Sequence, residues 1–410
     1  MSWRVARRTA GILVALAVTV AGPAAAQGSL VSDLPESAPT EAQYRLGPVI
    51  LEPSMALPAI GVDTNVFDDA TDPKQDWMAT LAPDITFFVQ PGMLQFVAKS
   101  GSTFTYYNKY HSERSISQDL RARLGIRLSR FKPWVGVASV QSADRPTPEI
   151  DTRAKRNARE VSAGIAFQLT PLADVTGYAA RVDTRFNAGE QFREVDLASA
   201  LDRRGETAGI GLRIRATPFT TIELRGTVAR DQFVNAPQRD SRSTAAEINL
   251  SFSPEAIIRG TARLGYEHYR PESPDVKAFR GLTTEVGLTA VGYWRGVLTV
   301  RGTRGVEYSY DAADQYYVET GVDVTYTQRI GGPWDLQARG ARSWLAYDAS
   351  RPGGRNDDLH SYQAGIGFNL QNNSRIGLNY EYAERRSAER ADQRFTRRRI
   401  FGSYSFEFWK

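Results

Sequence analysis

From about residue 49 to Lys410, apolar and polar side chains alternate with a period of two, interrupted at intervals by short turns or longer charged loops. Glu247-Ile248-Asn249-Leu250-Ser251-Phe252 keeps that alternation, as does the stretch from Gln363 to Leu370. Successive side chains of a strand point to opposite faces, so each segment has one apolar and one polar face. Short turns are expected at Gln90–Gly92, Ser129–Pro133, Thr170–Asp174, Thr217–Thr220, Ser253–Glu255, Tyr293–Gly296, Ile330–Pro333 and Gln371–Ser374. Longer polar loops fall near 68–75, 108–116, 142–158, 187–204, 232–242, 270–280, 310–316, 348–359 and 384–395. Eight turns and nine loops separate eighteen strands and leave both termini on one side. The pattern predicts an all-β fold: a transmembrane antiparallel β-barrel of about 18 strands with short periplasmic turns and long extracellular loops.

Aromatic residues gather at the strand ends. Phe88, Trp134, Phe167, Phe219, Phe252, Trp294, Tyr326, Trp334, Phe368 and Phe408 lie toward the short turns, and Tyr106, Phe186, Tyr266, Tyr308, Tyr347 and Tyr382 toward the loops. Two such belts read as interfacial girdles. A soluble barrel or sandwich with the same alternation would not place aromatics at strand ends so regularly.

Residues 1–26 carry Arg4, Arg7 and Arg8, an apolar run from Gly11 to Ala21, and Ala24-Ala25-Ala26 before Gln27. That order is a signal peptide, too short in its apolar run to span ~30 Å of hydrocarbon. Residues 27–53 are rich in Ser, Pro, Ala and Glu near their start and are expected to form a periplasmic lead, with the barrel over 54–410. Cysteine is absent from the sequence, which excludes disulfide staples and thiolate metal sites. The net charge of +5 falls to +2 without the three arginines of the signal peptide (5 − 3 = 2), so nucleic acid is not an expected partner.

With the apolar face assigned to lipid, the other face is the lumen. Leu120, Ala122, Leu124, Ile126 and Leu128 face outward in their strand, which leaves Arg121, Arg123 and Arg127 inside. The same rule places Arg181, Arg185, Arg213, Arg215, Arg225, Arg259, Arg263, Arg301, Arg339, Arg375 and Arg399 inside. It also places there Asp183, Glu223, Glu247, Glu285, Glu307, Glu319, Asp323, Asp335, Glu381 and Glu407. An arginine or lysine facing the bilayer midplane costs ~2–4 kcal/mol, so these charges are expected to face water and one another. A barrel of this size holds an aqueous channel. Arginine forks grip carboxylate and phosphate groups, and charged walls select among solutes. The plainer alternative is that inward Arg–Glu pairs only stiffen the wall.

The segment Arg45-Leu-Gly-Pro-Val-Ile-Leu-Glu-Pro-Ser-Met-Ala-Leu-Pro-Ala-Ile-Gly-Val-Asp63-Thr64-Asn65-Val66-Phe67 resembles the entry of the beta-barrel porin type 2 family, the outer-membrane porins associated with exopolysaccharide export. The arginine-lined architecture also looks like the alginate export porin. The resemblance implies a polysaccharide substrate, a periplasmic polysaccharide-export protein as partner, surrounding outer-membrane lipid, and insertion by the barrel-assembly machinery of a Gram-negative cell. The chain departs from the usual aromatic C-terminus of such barrels, since Lys410 follows Phe408-Trp409.

Catalysis finds little support. His111, His268 and His360 lie at or near loop ends in no metal-binding spacing, and only His360, beside Asp357 and Asp358, has a local acidic partner. No G-x-S-x-G, phosphate loop or dinucleotide fingerprint occurs, so no catalytic residue, metal or cofactor is expected. The leading expectation is an export channel for an anionic exopolysaccharide. One alternative is a general or small-solute diffusion porin, which requires a loop folded into the pore, with 187–204 the best candidate. A second alternative is a structural or adhesive barrel.

Overall fold

The computed structural model describes residues 29–35, 44–292, 295–347, 354–370 and 374–407. Eighteen long strands follow one another: β1 (Val49–Asp63), β2 (Asp76–Val89), β3 (Leu94–Tyr107), β4 (Ser115–Ile126), β5 (Phe131–Asp144), β6 (Ala154–Thr170), β7 (Ala173–Phe186), β8 (Arg203–Thr217), β9 (Thr220–Phe233), β10 (Ser241–Phe252), β11 (Ile258–Pro271), β12 (Phe279–Val291), β13 (Gly296–Tyr308), β14 (Tyr316–Gly331), β15 (Trp334–Ala346), β16 (Asn356–Asn369), β17 (Ser374–Ser387) and β18 (Phe395–Glu407). Each pairs antiparallel with the next, and β1 pairs with β18, Ser54 opposite Glu407 and Asp63 opposite Arg399. The sheet therefore closes into the 18-stranded barrel that the alternation predicts. Among the described residues no helix is long and apolar enough to cross a membrane. The signal peptide expected over residues 1–26 lies outside the described residues.

The first strand begins at Val49 rather than near Ser54, because its prolines are accommodated locally. Leu57 and Pro58 together face the single residue Leu81, a bulge that absorbs the hydrogen bond proline cannot donate. Further along β1, Gly61 meets β18 so closely that a Cβ there would sit on the Ile400 carbonyl oxygen. Short turns use glycine where the backbone turns left-handed, as at Gly92 (φ 60°) and Gly332 (φ 52°).

Pairing register separates the two faces. Outward stand Leu120, Leu124, Ile165, Ile210, Leu224, Ile248, Leu264, Leu336, Ile366 and Leu378, all well exposed on the bare protein and so available to lipid. Aromatics bound this band: Phe131 packs on Phe167 (ring centroids 4.8 Å apart) and Trp334 on Phe368 (4.9 Å) at the turn side, and Trp77 lies near Tyr106 (6.3 Å) at the loop side. Several aromatics assigned to the belts face inward instead. Phe88 and Trp134 point into the lumen, where Val31 and Leu34 pack with them. Phe186, Tyr308 and Tyr347 are buried beneath the loops. Trp294 and Phe408 lie outside the described residues.

Above the lipid band the strands continue and their polarity inverts. In β7, Tyr178, Ala180, Val182, Thr184 and Phe186 face inward, while Arg181, Asp183 and Arg185 face outward. The reason is a change of solvent on both sides. Below, the outer face meets lipid and the inner face water; above, the outer face meets water and the inner face meets packed loops.

Candidate functional site: the charged lumen and its capped mouth

Of the fourteen arginines assigned to the lumen, Arg121, Arg123, Arg213, Arg215, Arg225, Arg259, Arg263, Arg301, Arg339, Arg375 and Arg399 stand on the inner face. Arg181 and Arg185 do not, for the inversion just described. Arg127 lies past the end of β4, exposed at the short-turn rim, where its N–H bonds the Met93 carbonyl. Among the carboxylates, Asp183 is likewise outside, and the side chain of Glu407 lies outside the described residues.

Most inner arginines are engaged by acids on their own strand or on one no more than two strands away. Arg121 pairs with Asp119 (2.6 Å), Arg215 with Asp174 (2.9 Å), Arg225 with Glu223 (2.7 Å), Arg339 with Asp323 (2.7 Å) and Arg375 with Asp335 (2.6 Å). Arg399 bridges Asp63 (2.9 Å) and Glu381 (3.6 Å) across the β1–β18 seam, and Arg263 pairs with Glu285. Arg123 lies over the Trp134 ring, 4.7 Å from its centroid. The wall is thus partly stiffened by ion pairs. The exception is the strip β11–β13: Arg259 and Arg301 have no carboxylate within ion-pair reach among the described residues, Glu285 being held by Arg263, and Asp323, directly opposite Arg301 on β14, by Arg339. Their same-face neighbours Thr261, Gly287, Thr289 and Thr299 are small, so the guanidinium groups border open lumen. Sequence reasoning missed Asp63, Asp119, Glu160 and Asp174, which neutralise much of the arginine surplus. Their strands start or end in loops, where the apolar alternation that marks the faces fades.

The loop ends are not open. The 145–153 loop reaches across the mouth, and its Glu149, fully buried, accepts from Ser309 Oγ (2.8 Å), the Tyr310 N–H (3.1 Å) and Arg355 (2.8 Å). Arg385, on the inner face of β17 and also buried, donates to Asp151 (2.9 Å), Asp357 (2.7 Å), Gln393 (2.9 Å) and the carbonyls of Pro148 and Glu149 (3.3 and 3.2 Å). Burial pushes the Glu149 carboxyl above its ordinary range, against the pull of Arg355. Burial likewise pushes Asp151 up to about 6, opposed by Arg385 and reinforced by the nearby negative charge of Asp68.

The 187–204 loop also packs inward, through a short helix, α1 (Leu197–Leu201), capped by Asp196, whose side chain accepts from the Ser199 N–H (2.6 Å). Leu197, Leu201 and Phe192 are buried, and Phe192 meets Tyr310 edge-on (4.8 Å between centroids). The tip of the β13–β14 hairpin leaves β12 beyond the Thr284–Arg304 pair and leans over the pore. Its Val306, Tyr308, Tyr316 and Val318 join Phe233, Tyr269 and Phe279 in the same apolar cluster. Arg239 pins the tip, donating to the carbonyls of Ser309 and Gln315 (3.0 Å to the latter). A second element enters from the short-turn end. In the segment Ser29–Pro35, Glu160 accepts from Ser29 Oγ and the Leu30 N–H, and Arg121 donates to the Leu30 carbonyl (2.8 Å). Part of the expected periplasmic lead is thereby seated inside the barrel against β4–β6.

A closed barrel with a charged inner wall and inward-folded loops is the architecture of a porin. The sequence agrees: the family model described as Putative beta-barrel porin 2 matches residues 39–405. The chain belongs to that family. It is an outer-membrane β-barrel porin of the Gram-negative type, and its family is one of channels rather than enzymes. No curated protein matches the chain in sequence. Among solved structures, OccK2 (OpdF) of Pseudomonas aeruginosa is similar in fold, with a TM-score of 0.50, 14% identity, and coverage of 88% of this chain and 98% of that one. A BenF-like porin from Pseudomonas fluorescens Pf-5 gives a TM-score of 0.47 at 13% identity, covering 87% and 98%. OpdK of Pseudomonas aeruginosa gives 0.47 at 12% identity, also covering 87% and 98%.

The histidines take no part in the lumen. His360 faces outward beside Asp358 (3.1 Å), close to Arg342, and His268 faces outward on β11. Among the described residues no cluster of three or more His, Cys, Asp or Glu is arranged to hold a metal ion.

Proposed function

We propose that this porin is a diffusion channel for small solutes, with a preference for anions. The carrying observation is the inward packing at both ends of the pore: the 145–153 and 187–202 segments cover the mouth, and Ser29–Pro35 occupies part of the lumen. A pathway narrowed in this way suits molecules of a few heavy-atom rings better than a hydrated polymer. That weighs against the export of an exopolysaccharide, which the family resemblance implied. The anion preference rests on Arg259, Arg263 and Arg301, which face the lumen with Glu285 between them and Asp323, held by Arg339, opposite Arg301, and whose forks match carboxylate geometry.

Reversal-potential and liposome-swelling measurements on the purified protein test this reading. Glucuronate, with which OccK2 has been crystallised, is a suitable small acid. Passage of glucuronate ahead of neutral sugars of similar size supports the proposal, provided that Arg259→Gln/Arg301→Gln abolishes the preference. Equal passage of small anions and cations, or passage of acidic oligosaccharides as readily as monomers, overturns it.

A further inference from the structure

The outer wall carries a feature that the lumen reading does not use. Over β6–β9, Ala179 and Ala208 occupy outward positions flanked by Val161 and Val228, and the small side chains leave a groove of about 550 Å³ on the lipid-facing surface. Arg181, Glu206 and Arg230 close the groove at its loop end.

These three belong to a longer row. Arg181, Glu206, Arg230, Arg242 and Arg270 stand directly opposite one another, one on each of the five consecutive strands β7–β11. Arg230 faces Arg242, and Arg242 faces Arg270. Like charges in direct cross-strand register repel, and sheets ordinarily avoid them. Arg181 is partly held by Asp183 (3.1 Å) and Arg242 by Glu272 (3.2 Å). Arg230, Arg270 and the neighbouring Arg159 have no carboxylate within ion-pair distance among the described residues, and all three are exposed. A row of four arginines and one glutamate, only partly neutralised and just above an apolar band, meets its complement in an anionic headgroup, with the groove below it open to an acyl chain. Glu206, between Arg181 and Arg230 and ion-paired to neither, is an acceptor for a hydroxyl.

We propose that this face binds a phosphorylated glycolipid of the outer leaflet: an acyl chain in the Ala179–Ala208 groove, a phosphate between Arg181 and Arg230, and a sugar hydroxyl on Glu206. The like-charged row is then neutralised by bound lipid, and the strands β7–β11 acquire a fixed lipid collar.

Native mass spectrometry of the intact protein, released from detergent with defined lipids, tests the assignment. The probes are diphosphoryl lipid A, the same lipid with its phosphates removed, phosphatidylcholine and inorganic phosphate. Wild type is expected to retain diphosphoryl lipid A roughly tenfold better than the dephosphorylated form, in keeping with a bidentate arginine–phosphate contact. Arg181→Gln/Arg230→Gln should erase that difference, and Ala179→Phe/Ala208→Phe, which fills the groove, should reduce retention of both acylated forms. Inorganic phosphate should not displace the lipid. Heat-modifiable migration in gels reports that each variant is folded. Equal retention of phosphorylated and dephosphorylated lipid by wild type overturns the proposal without any variant. So does a lipid-free wild-type oligomer that Ala179→Phe/Ala208→Phe dissociates, which would make the groove a contact between copies of the chain.

Discussion

Glu149 is the point at which the mouth is most exposed to a single substitution. Its carboxylate gathers the Ser309 hydroxyl, the Tyr310 N–H and Arg355 into one buried knot that ties the 145–153 loop to the far side of the barrel. Glu149→Ala removes all three contacts and leaves Arg355, only 3% exposed, with Asp357 at 3.6 Å as its remaining acid. Removing one partner of a buried pair costs about 3–5 kcal/mol. The strand ladders do not depend on Glu149, so the cost falls on the packed loop alone. At about 1.4 kcal/mol per factor of ten, a loss of about 3 kcal/mol raises the open-to-closed ratio of the mouth roughly a hundredfold. Glu149→Gln should behave differently. Burial already holds this carboxyl above its ordinary range, which means that the charged form is disfavoured in place, and a neutral amide of the same shape can still accept from Ser309 and Arg355 through its one oxygen, losing only the Tyr310 N–H. Single-channel recording in planar bilayers reads the effect as closed-time fraction, and trypsin cleavage after Arg153 reads it as loop release. Glu149→Ala should open the mouth by both measures, while Glu149→Gln stays close to wild type. An unchanged closed fraction and unchanged cleavage in Glu149→Ala would refute the view that this knot holds the mouth shut.

Three further outcomes are expected. Asp151 is raised to about 6 in the packed mouth and has its ordinary value once the loop is solvated, so the closed form binds the proton more tightly. Closing should therefore strengthen as pH falls from about 7 toward 4, by up to about 3 kcal/mol, and weaken as pH rises through 6; conductance titrated over that window should drop on acidification, and Asp151→Asn should flatten the curve. Arg301→Glu should shift the reversal potential in a salt gradient toward cations, whereas Arg339→Gln, whose native partner is Asp323, should shift it less per charge removed; equal shifts would mean that paired and unpaired arginines contribute alike. Gly61→Val places a side chain against the Ile400 carbonyl at the β1–β18 seam, and overpacking of that kind costs typically 1–3 kcal/mol or more. Loss of the heat-modifiable folded band is the expected reading, and a normally migrating variant would show that the seam can yield.

The strand number and topology were legible because one physical rule governs the spanning part of the wall: lipid outside, water inside, and a two-residue period to match. Ile248 and Leu250 against Glu247 and Asn249 are unambiguous under that rule. The same rule misleads wherever the solvents change. Arg181 and Arg185 alternate with Tyr178, Ala180, Val182 and Phe186 just as lumen arginines alternate with lipid-facing residues, yet there the apolar set faces inward, Tyr178 against Arg225 and Phe186 under the loops, and the arginines face outward water. Nothing in a period of two says which face is which. The pairs that decide the lumen's net charge were hidden for another reason. Asp174 meets Arg215 and Asp63 meets Arg399 only after the strands are brought into register and the barrel is closed. Phe88 and Trp134 look like interfacial aromatics by position, and their true partners, Val31 and Leu34, come from a segment with no periodicity at all. The 187–204 loop was recognisable as an inward-folding candidate, whereas the 145–153 loop, with Pro146 and Pro148 ahead of Glu149 and Asp151, resembles any solvated connection.

The knot at Glu149 also fixes an order of events in assembly. Its contacts join residues separated by 160 positions at Ser309 and 206 at Arg355, and Arg385 reaches back 237 positions to Pro148. Contacts so distant along the chain cannot form until the intervening hairpins are in place, whereas each hairpin can pair with its predecessor as it arrives. By the same rule the knot becomes available once β17 has brought Arg385 round to meet the loop between β5 and β6, before β18 closes the ring on β1 through contacts such as Asp63–Arg399, 336 positions apart. The lid is thus assembled on a sheet that is still open at one edge, and the pore is already covered when its wall becomes continuous.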